Sequence, residues 1–166
     1  LVPLVSAQEA SAALLEALTY VPQSETTGIF TDIALIKHYE NAETVTSASS
    51  AEPQAAFFKS VLDKQAMLTE YNLQTPEHTD LWGWNVFDLR WIVTLSGEAP
   101  LTIFAFRDDI DLNAFTALLQ ERNFTMTSVG DATLFQSEGD FAADWFRFNL
   151  QVVNTAILEK EKIVVM

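Results

Sequence analysis

The 166-residue sequence contains no cysteine, and only nine Lys and Arg residues stand against 23 Asp and Glu residues. Without cysteine the chain has no disulfide framework, no thiolate metal site and no cysteine nucleophile. A formal net charge of −14 opposes binding to phosphate backbones and anionic lipid, because that binding depends on basic contacts that release counterions. The composition therefore predicts that nucleic acid is not a partner.

Long apolar runs and catalytic signatures are also missing. No apolar stretch approaches the roughly 20 residues that a membrane-spanning helix needs, which predicts no transmembrane segment in this piece. The chain has five glycines and no GxSxG, Walker or GxGxxG motif. Apolar residues make up 49% of the chain, which is typical of a domain that buries a core. We therefore expect a protein that is not an enzyme and that carries no cofactor.

Both ends of the sequence suggest a piece of a longer, exported protein. Leu1–Ala7 resembles the end of a signal peptide, with Val5 and Ala7 as the small residues of the cleavage site; the alternative is a boundary within an apolar linker. The last residues read as a buried strand, which suggests truncation. We expect an N-terminal segment, residues 1–22, that includes a helix, and a single α+β domain, residues 23–166, truncated at its C-terminus.

The clearest local pattern runs from Leu101 to Gln136 and contains a strand, a capped helix and two further strands. Asp111 is the expected N-cap of the helix Leu112–Arg122, and the two following strands turn at Gly130 and Asp131. A second hairpin is expected within residues 155–166. The pattern predicts an α+β fold with an antiparallel or mixed sheet of about five to seven strands and helices mainly on one face.

The N-terminal half predicts helices separated by a loop. The first helix covers Gln8–Tyr20, and Asp32 is expected to cap a second helix, Ile33–Asn41. Residues 42–52 are rich in Ser, Thr and Ala without apolar periodicity, which predicts a mobile surface loop. Apolar residues recur at helical spacing in the first helix: Leu14, Leu15, Leu18 and Val21.

Tryptophans form the first candidate binding site. Exposed tryptophan rings are natural platforms for sugar rings or apolar ligands, and four such residues are candidates: Trp82, Trp84, Trp91 and Trp145. Trp82 and Trp84 have strand spacing, which equally fits anchors of a core. The pattern leaves both a ligand groove and core packing open.

The acidic turn Asp108, Asp109 and Asp111 is the second candidate site. Three carboxylates within four residues suit Ca²⁺, although such a loop normally supplies about six to eight oxygen ligands. The alternative is a helix cap with extra negative charge at the positive end of the helix dipole. A zinc site at His78 is less expected, because His38 is the only other histidine and no HExxH spacing exists, so His78 is interpreted as a solvated loop residue.

The order of motifs resembles a group of uncharacterised exported proteins and lipoproteins of actinobacteria and chloroflexi. The matching segments are Val21-Pro22, Phe30-Thr31-Asp32, Gly83–Asp88, Ala99-Pro100 and Phe106–Asp111. The resemblance implies an extracytoplasmic location and assigns no activity. The lipobox cysteine of the lipoproteins is absent, so a lipid anchor does not carry over.

Together these patterns predict a non-enzymatic extracytoplasmic domain that binds another protein or a component of the cell envelope. The alternative is a module that binds a small apolar or sugar ligand through its tryptophans.

Overall fold

A computed structural model describes residues 7–23, 27–62, 76–96, 101–137 and 154–166. The possible signal remnant before residue 7 and Trp145 therefore lie outside the described residues. The helices are α1 Ala7–Leu18, α2 Ile33–Tyr39, α3 Ala51–Leu62, α4 Pro76–Trp82 and α5 Leu112–Glu121, with a 3₁₀ helix at Val86–Asp88. The strands are β1 Thr27–Asp32, β2 Leu89–Ser96, β3 Leu101–Phe106, β4 Phe124–Val129, β5 Ala132–Ser137, β6 Asn154–Leu158 and β7 Ile163–Val165.

The seven strands form one sheet in the order β1-β2-β3-β7-β6-β5-β4, and every neighbouring pair is antiparallel. This arrangement confirms the predicted α+β class and the upper end of the predicted strand number. The hairpin β6–β7, last in the chain, lies in the centre of the sheet between β3 and β5. As a result β1 and β4 are the two edge strands.

Four helices, α2 to α5, cover one face of the sheet, which we call the helix side. An aromatic cluster fills this layer, with the Trp84 ring centred 5.3 Å from Phe104 and 5.1 Å from Phe106. Ile33 of α2 and Leu119 of α5 are fully buried in the same cluster. Burying each of these side chains contributes about 1.5 to 3 kcal/mol, so this layer holds most of the core.

The helix α1 covers part of the opposite face, which we call the α1 side. Ala17 is fully buried there beside Trp91, and the Tyr20 ring is centred 6.2 Å from that of Trp91. The leucines of α1 are 40 to 63% exposed. A small alanine thus faces the sheet, because it allows the helix to lie close to the large indole.

The serine-rich loop after α2 is anchored to its surroundings. The Gln54 side-chain amide donates hydrogen bonds to the carbonyls of Thr46, Ser47 and Ser49 at 2.8 to 3.1 Å. The buried Lys37 ammonium donates to the carbonyl of Val45 at 2.7 Å. The sequence pattern suggested a mobile surface loop, but these side chains supply hydrogen-bond partners that apolar periodicity does not reveal.

The segment from Gly83 to Asp88 forms a capped turn under the helices. Gly83 has a φ of 73°, a region that side chains rarely adopt. The Asn85 side chain accepts from the backbone N–H of Phe87 at 3.0 Å, and the Asp88 carboxylate accepts from the N–H of Asn85 at 2.9 Å. The Gly-aromatic-Asn pattern therefore has a structural explanation as a capping box.

Candidate functional site

The structure buries the three described tryptophans of the first candidate site. Trp82 and Trp84 are 2% exposed on the helix side, and Trp91 is 1% exposed under α1. These rings pack as core side chains in two separate layers and share no open groove. Their assignment to a ligand site stays a prediction.

The three aspartates of the second candidate site do not share a common partner. The Arg107 guanidinium donates two hydrogen bonds to Asp109, one of them at 2.9 Å, and these bonds hold the pKa of Asp109 below its usual value. Asp111 caps α5 by accepting from the backbone N–H of Asn113 at 2.9 Å, as predicted. Asp108 is exposed. Within the described part of the chain, no group of three or more His, Cys, Asp or Glu side chains is placed to hold a metal ion.

His78 differs most from its sequence interpretation. It lies on α4, is fully buried and has its ring centred 4.7 Å from that of Trp84, so the interpretation as a solvated loop residue was wrong. Burial lowers the pKa of His78 to about 4, which leaves the ring neutral at neutral pH. His38 lies on α2, is exposed and has Nδ1 2.8 Å from the carboxylate of Glu43.

Exposed apolar side chains gather where α1 meets the edge strand β1. Leu14 and Leu18 are 40% and 54% exposed, one helical turn apart, and Ile29 of β1 is 46% exposed. A groove of about 200 Å³ runs between α1 and β1 and is lined by Leu14, Leu18, Val21, Gly28 and Phe30, among others. We call this region, residues 14–21 with β1, the α1–β1 edge.

The outer backbone of β1 is open along the groove. Among the described strands β1 pairs only with β2, so one side of its backbone N–H and C=O groups faces outward. A Cβ atom on Gly28 would lie 2.5 Å from Cδ2 of Leu95. The Leu95 side chain therefore lies over Gly28, where a larger residue would force it to move.

Apolar side chains lie on both sides of this open strand. Phe30 pairs with Val93 and faces the α1 side, whereas Ile29 pairs with Thr94 and faces the helix side. A further strand added to β1 would place alternate side chains against the groove and against Ile29. The edge is thus suited to an extended chain that presents apolar side chains on both of its faces.

A polar cleft of about 550 Å³ lies on the other flank of α1, among Glu16, Asp32, His38, Arg90 and Trp91. The Arg90 guanidinium donates to both carboxylate oxygens of Glu16, each at 2.9 Å. The Trp91 indole N–H donates to the same carboxylate at 3.2 Å. These bonds attach α1 to the start of β2.

The two carboxylates of the polar cleft differ in their acidity. Burial by itself raises the pKa of Glu16, but the hydrogen bonds from Arg90 and Trp91 outweigh it, so the pKa lies below the usual value. Burial raises the pKa of Asp32, and its hydrogen bond from the Leu35 backbone N–H only partly offsets this. Only Glu16 thus has a cationic side chain as its hydrogen-bond donor.

Sequence reasoning did not find Glu16 or Arg90. The available signal was Glu16 itself, which stands in the helical row of Ala13, Ala17 and Tyr20 where an apolar residue is expected. A charge on the buried face of a helix implies a partner of opposite charge. The sequence alone does not identify that partner, because Arg90 is 74 positions away.

Comparison of the chain with protein-family models, with curated proteins and with solved structures gave no match. In the described part of the chain, no helix has both the length and the apolar character needed to span a bilayer.

Proposed function

We propose that this chain is a non-enzymatic, extracytoplasmic protein-interaction domain whose α1–β1 edge binds an extended segment of a partner protein as an added strand. One observation carries the proposal: an apolar groove lies directly beside an edge strand that, among the described strands, pairs only with β2. Strand addition draws affinity from main-chain hydrogen bonds and selectivity from pockets that take alternate side chains.

Exposed leucines support this role. Leu14 and Leu18 remain 40% and 54% exposed in the folded chain, whereas Ala17 fills the contact with the sheet. A partner segment lying in the groove would remove their side chains from water, and apolar burial is the main source of binding free energy at such contacts. Scattered single apolar residues are ordinary, but here they are contiguous with an open strand.

The partner segment should carry apolar side chains on both of its faces, at successive positions, and basic residues at its flanks. The apolar character of both faces follows from the apolar side chains on both faces of β1. The basic flanks follow from the net charge of −14, which attracts cationic chains and repels acidic ones.

A peptide-display experiment tests the proposal without a known partner. Peptides selected on the wild-type chain are assayed against Leu18→Asp, which places a carboxylate in the groove, and against Leu15→Asp as a matched control. Leu15 lies on the same helix, is 63% exposed and does not line the groove. We expect Leu18→Asp to weaken binding at least about tenfold and Leu15→Asp to leave it nearly unchanged.

Hydrogen exchange identifies the binding position. Bound peptide should slow exchange of the backbone amides of residues 27–30 and leave those of β4 unaffected. Equal affinity of both variants, or protection that spares β1, would contradict the proposal.

The polar cleft supports a second candidate function, the binding of a small polar or sugar ligand. Its volume of about 550 Å³ and the polar side chains of Arg90 and Asp32 favour it. The Trp91 indole N–H, which lies on the floor of the cleft, provides a direct NMR probe. Titration with neutral mono- and disaccharides should shift this resonance if the cleft binds them, and an unmoved resonance excludes them.

A further inference from the structure

The second edge strand, β4, is uncharged in a strongly acidic protein. Its sequence, Phe124–Val129, contains no Asp, Glu, Lys or Arg, whereas the chain carries a net charge of −14. All of its residues after Phe124 are exposed, including Met126 and Val129. Among the described strands β4 pairs only with β5. It therefore presents an open row of backbone donors and acceptors.

Sheets usually protect an open edge with charged side chains, proline, a bulge or a covering element. The pairing of β4 with β5 runs in continuous register from Phe124–Ser137 to Val129–Ala132, without a bulge. The strand contains no proline and no charged residue. None of the sequence devices that prevent strand pairing is present within β4.

We propose that β4 pairs with β4 of a second copy of this chain and forms a two-fold symmetric dimer. The distribution of charge favours a second copy of the chain as the partner of β4. Two acidic copies repel one another over most approaches, but β4 and β5 bring no carboxylate to the contact. Asp131, at the turn between them, has Lys160 within 3.7 Å. The paired strands themselves therefore bring no opposing like charges to this edge.

Symmetry restricts how the two strands can meet. A strand that pairs with its own copy about a two-fold axis must run antiparallel, and residues opposite one another must face the same side of the joined sheet. Met126 lies opposite Phe135 on the helix side, and Thr127 lies opposite Leu134 on the other side. The axis must therefore pass beside a residue of β4, and the two central residues, Met126 and Thr127, allow the longest pairing.

Both registers pair uncharged residues throughout. With the axis at Thr127, Thr125 faces Val129 of the second copy, and with the axis at Met126, Phe124 faces Ser128. β-Branched and aromatic residues are favourable cross-strand neighbours. The dimer would join two seven-stranded sheets into one. It does not depend on the proposed function, because β1 and β4 lie at opposite ends of the sheet.

Sedimentation analysis of the whole chain and of two variants tests the dimer. Thr127→Lys places two ammonium groups next to the axis, and Thr27→Lys makes the same change at an exposed position of the other edge strand. We expect the wild type and Thr27→Lys to have a mass of twice 18.5 kDa. Thr127→Lys should raise the dissociation constant at least about tenfold.

Salt gives an independent expectation. Because the remaining surface is acidic, about 0.5 M salt should strengthen the wild-type dimer by screening repulsion between the two copies. The proposal would be overturned if the wild type stayed monomeric in such salt when its protein concentration is raised about a hundredfold. A mass that grows without limit, or a loss of the dimer in Thr27→Lys, would also overturn it.

Hydrogen exchange of the wild type keeps the test valid even if Thr127→Lys fails to fold. Backbone amides of β4 should exchange more slowly at high protein concentration than at low concentration, while those of β1 stay constant. Exchange of β4 that does not depend on concentration would overturn the proposal.

Discussion

The two faces of the sheet are covered by helices to different extents. On the helix side, four helices enclose an aromatic cluster around Trp84. On the α1 side, a single helix contacts the sheet through Ala17 and the Glu16–Arg90 pair and leaves its leucines exposed. The first arrangement contributes more to folding. The second leaves apolar side chains of α1 exposed in the described part of the chain.

The largest effect should come from the aromatic cluster. Trp84→Ala removes a ring that packs against Phe104 and Phe106, and we expect it to lower the free energy of unfolding by about 3 to 5 kcal/mol. The matched apolar truncation Leu15→Ala on α1 should change it by less than about 0.5 kcal/mol, because Leu15 is exposed. Urea unfolding measures both. Similar losses in the two variants would contradict the contrast between the faces.

Acidification should destabilise the helix side through His78. The unfolded state binds a proton near pH 6.5, whereas burial lowers the pKa of the folded state to about 4. The stabilisation is therefore complete above pH 6.5 and is lost as the pH falls towards 4, by about 3 kcal/mol in all.

The variant His78→Gln isolates this contribution. Its unfolding free energy should fall less than that of the wild type between pH 7 and pH 4.5, measured by urea unfolding at each pH. His38→Gln is the control, since His38 is exposed. A wild-type profile that matches His78→Gln would show that His78 is not buried as a neutral ring.

On the α1 side, the Glu16–Arg90 pair should have a smaller effect. Arg90→Met breaks three hydrogen bonds of the guanidinium, two to Glu16 and one to the Phe106 carbonyl, and we expect a loss of about 1 to 3 kcal/mol. A double-mutant cycle with Glu16→Gln measures the coupling. Lys160→Met is the matched control, because its ion pair with Asp131 is fully open to solvent and should contribute little.

Hydrogen exchange sharpens this test. In Arg90→Met, amides of residues 12–18 should exchange faster while those of α5 stay protected. Loss of protection in both helices would mean that α1 and the helix side unfold as one unit.

The smallest effect should come from the acidic turn. Asp111→Ala removes the cap of α5 and should cost about 1 kcal/mol, whereas Asp108→Ala should be nearly neutral. Excess Ca²⁺ should leave the melting temperature unchanged, since the Asp109 carboxylate already accepts a hydrogen bond from Arg107 and the Asp111 carboxylate accepts one from Asn113. A rise in melting temperature with Ca²⁺ that disappears in Asp111→Ala would restore the metal hypothesis.

Local signals account for what could be predicted from the sequence. Asp32 and Asp111 cap helices where their short carboxylates precede an apolar pattern, and both are confirmed. The turn at Gly130 has a φ of 62° and joins β4 and β5 as expected. These features depend on residues only a few positions apart, so a single sequence suffices.

Long-range contacts account for what could not be predicted. His78 follows Pro76 in a polar stretch, and its ring is buried beside those of Trp82 and Trp84. The leucines of α1 have the spacing of a buried stripe, yet Ala17 occupies the contact. For His78, burial depends on a ring from a different part of the chain. For α1, the residue that contacts the sheet is a small alanine on a different face of the helix from the leucines.

The position of the β6–β7 hairpin bears on how the chain folds. Strands β1 to β3 and strands β4 to β5 do not pair with each other, and the hairpin alone connects the two groups. Closing β3 against β7 requires a loop of many intervening residues, which is slow because chain entropy opposes it. During synthesis the sheet therefore cannot be completed until residues 154–165 have left the ribosome.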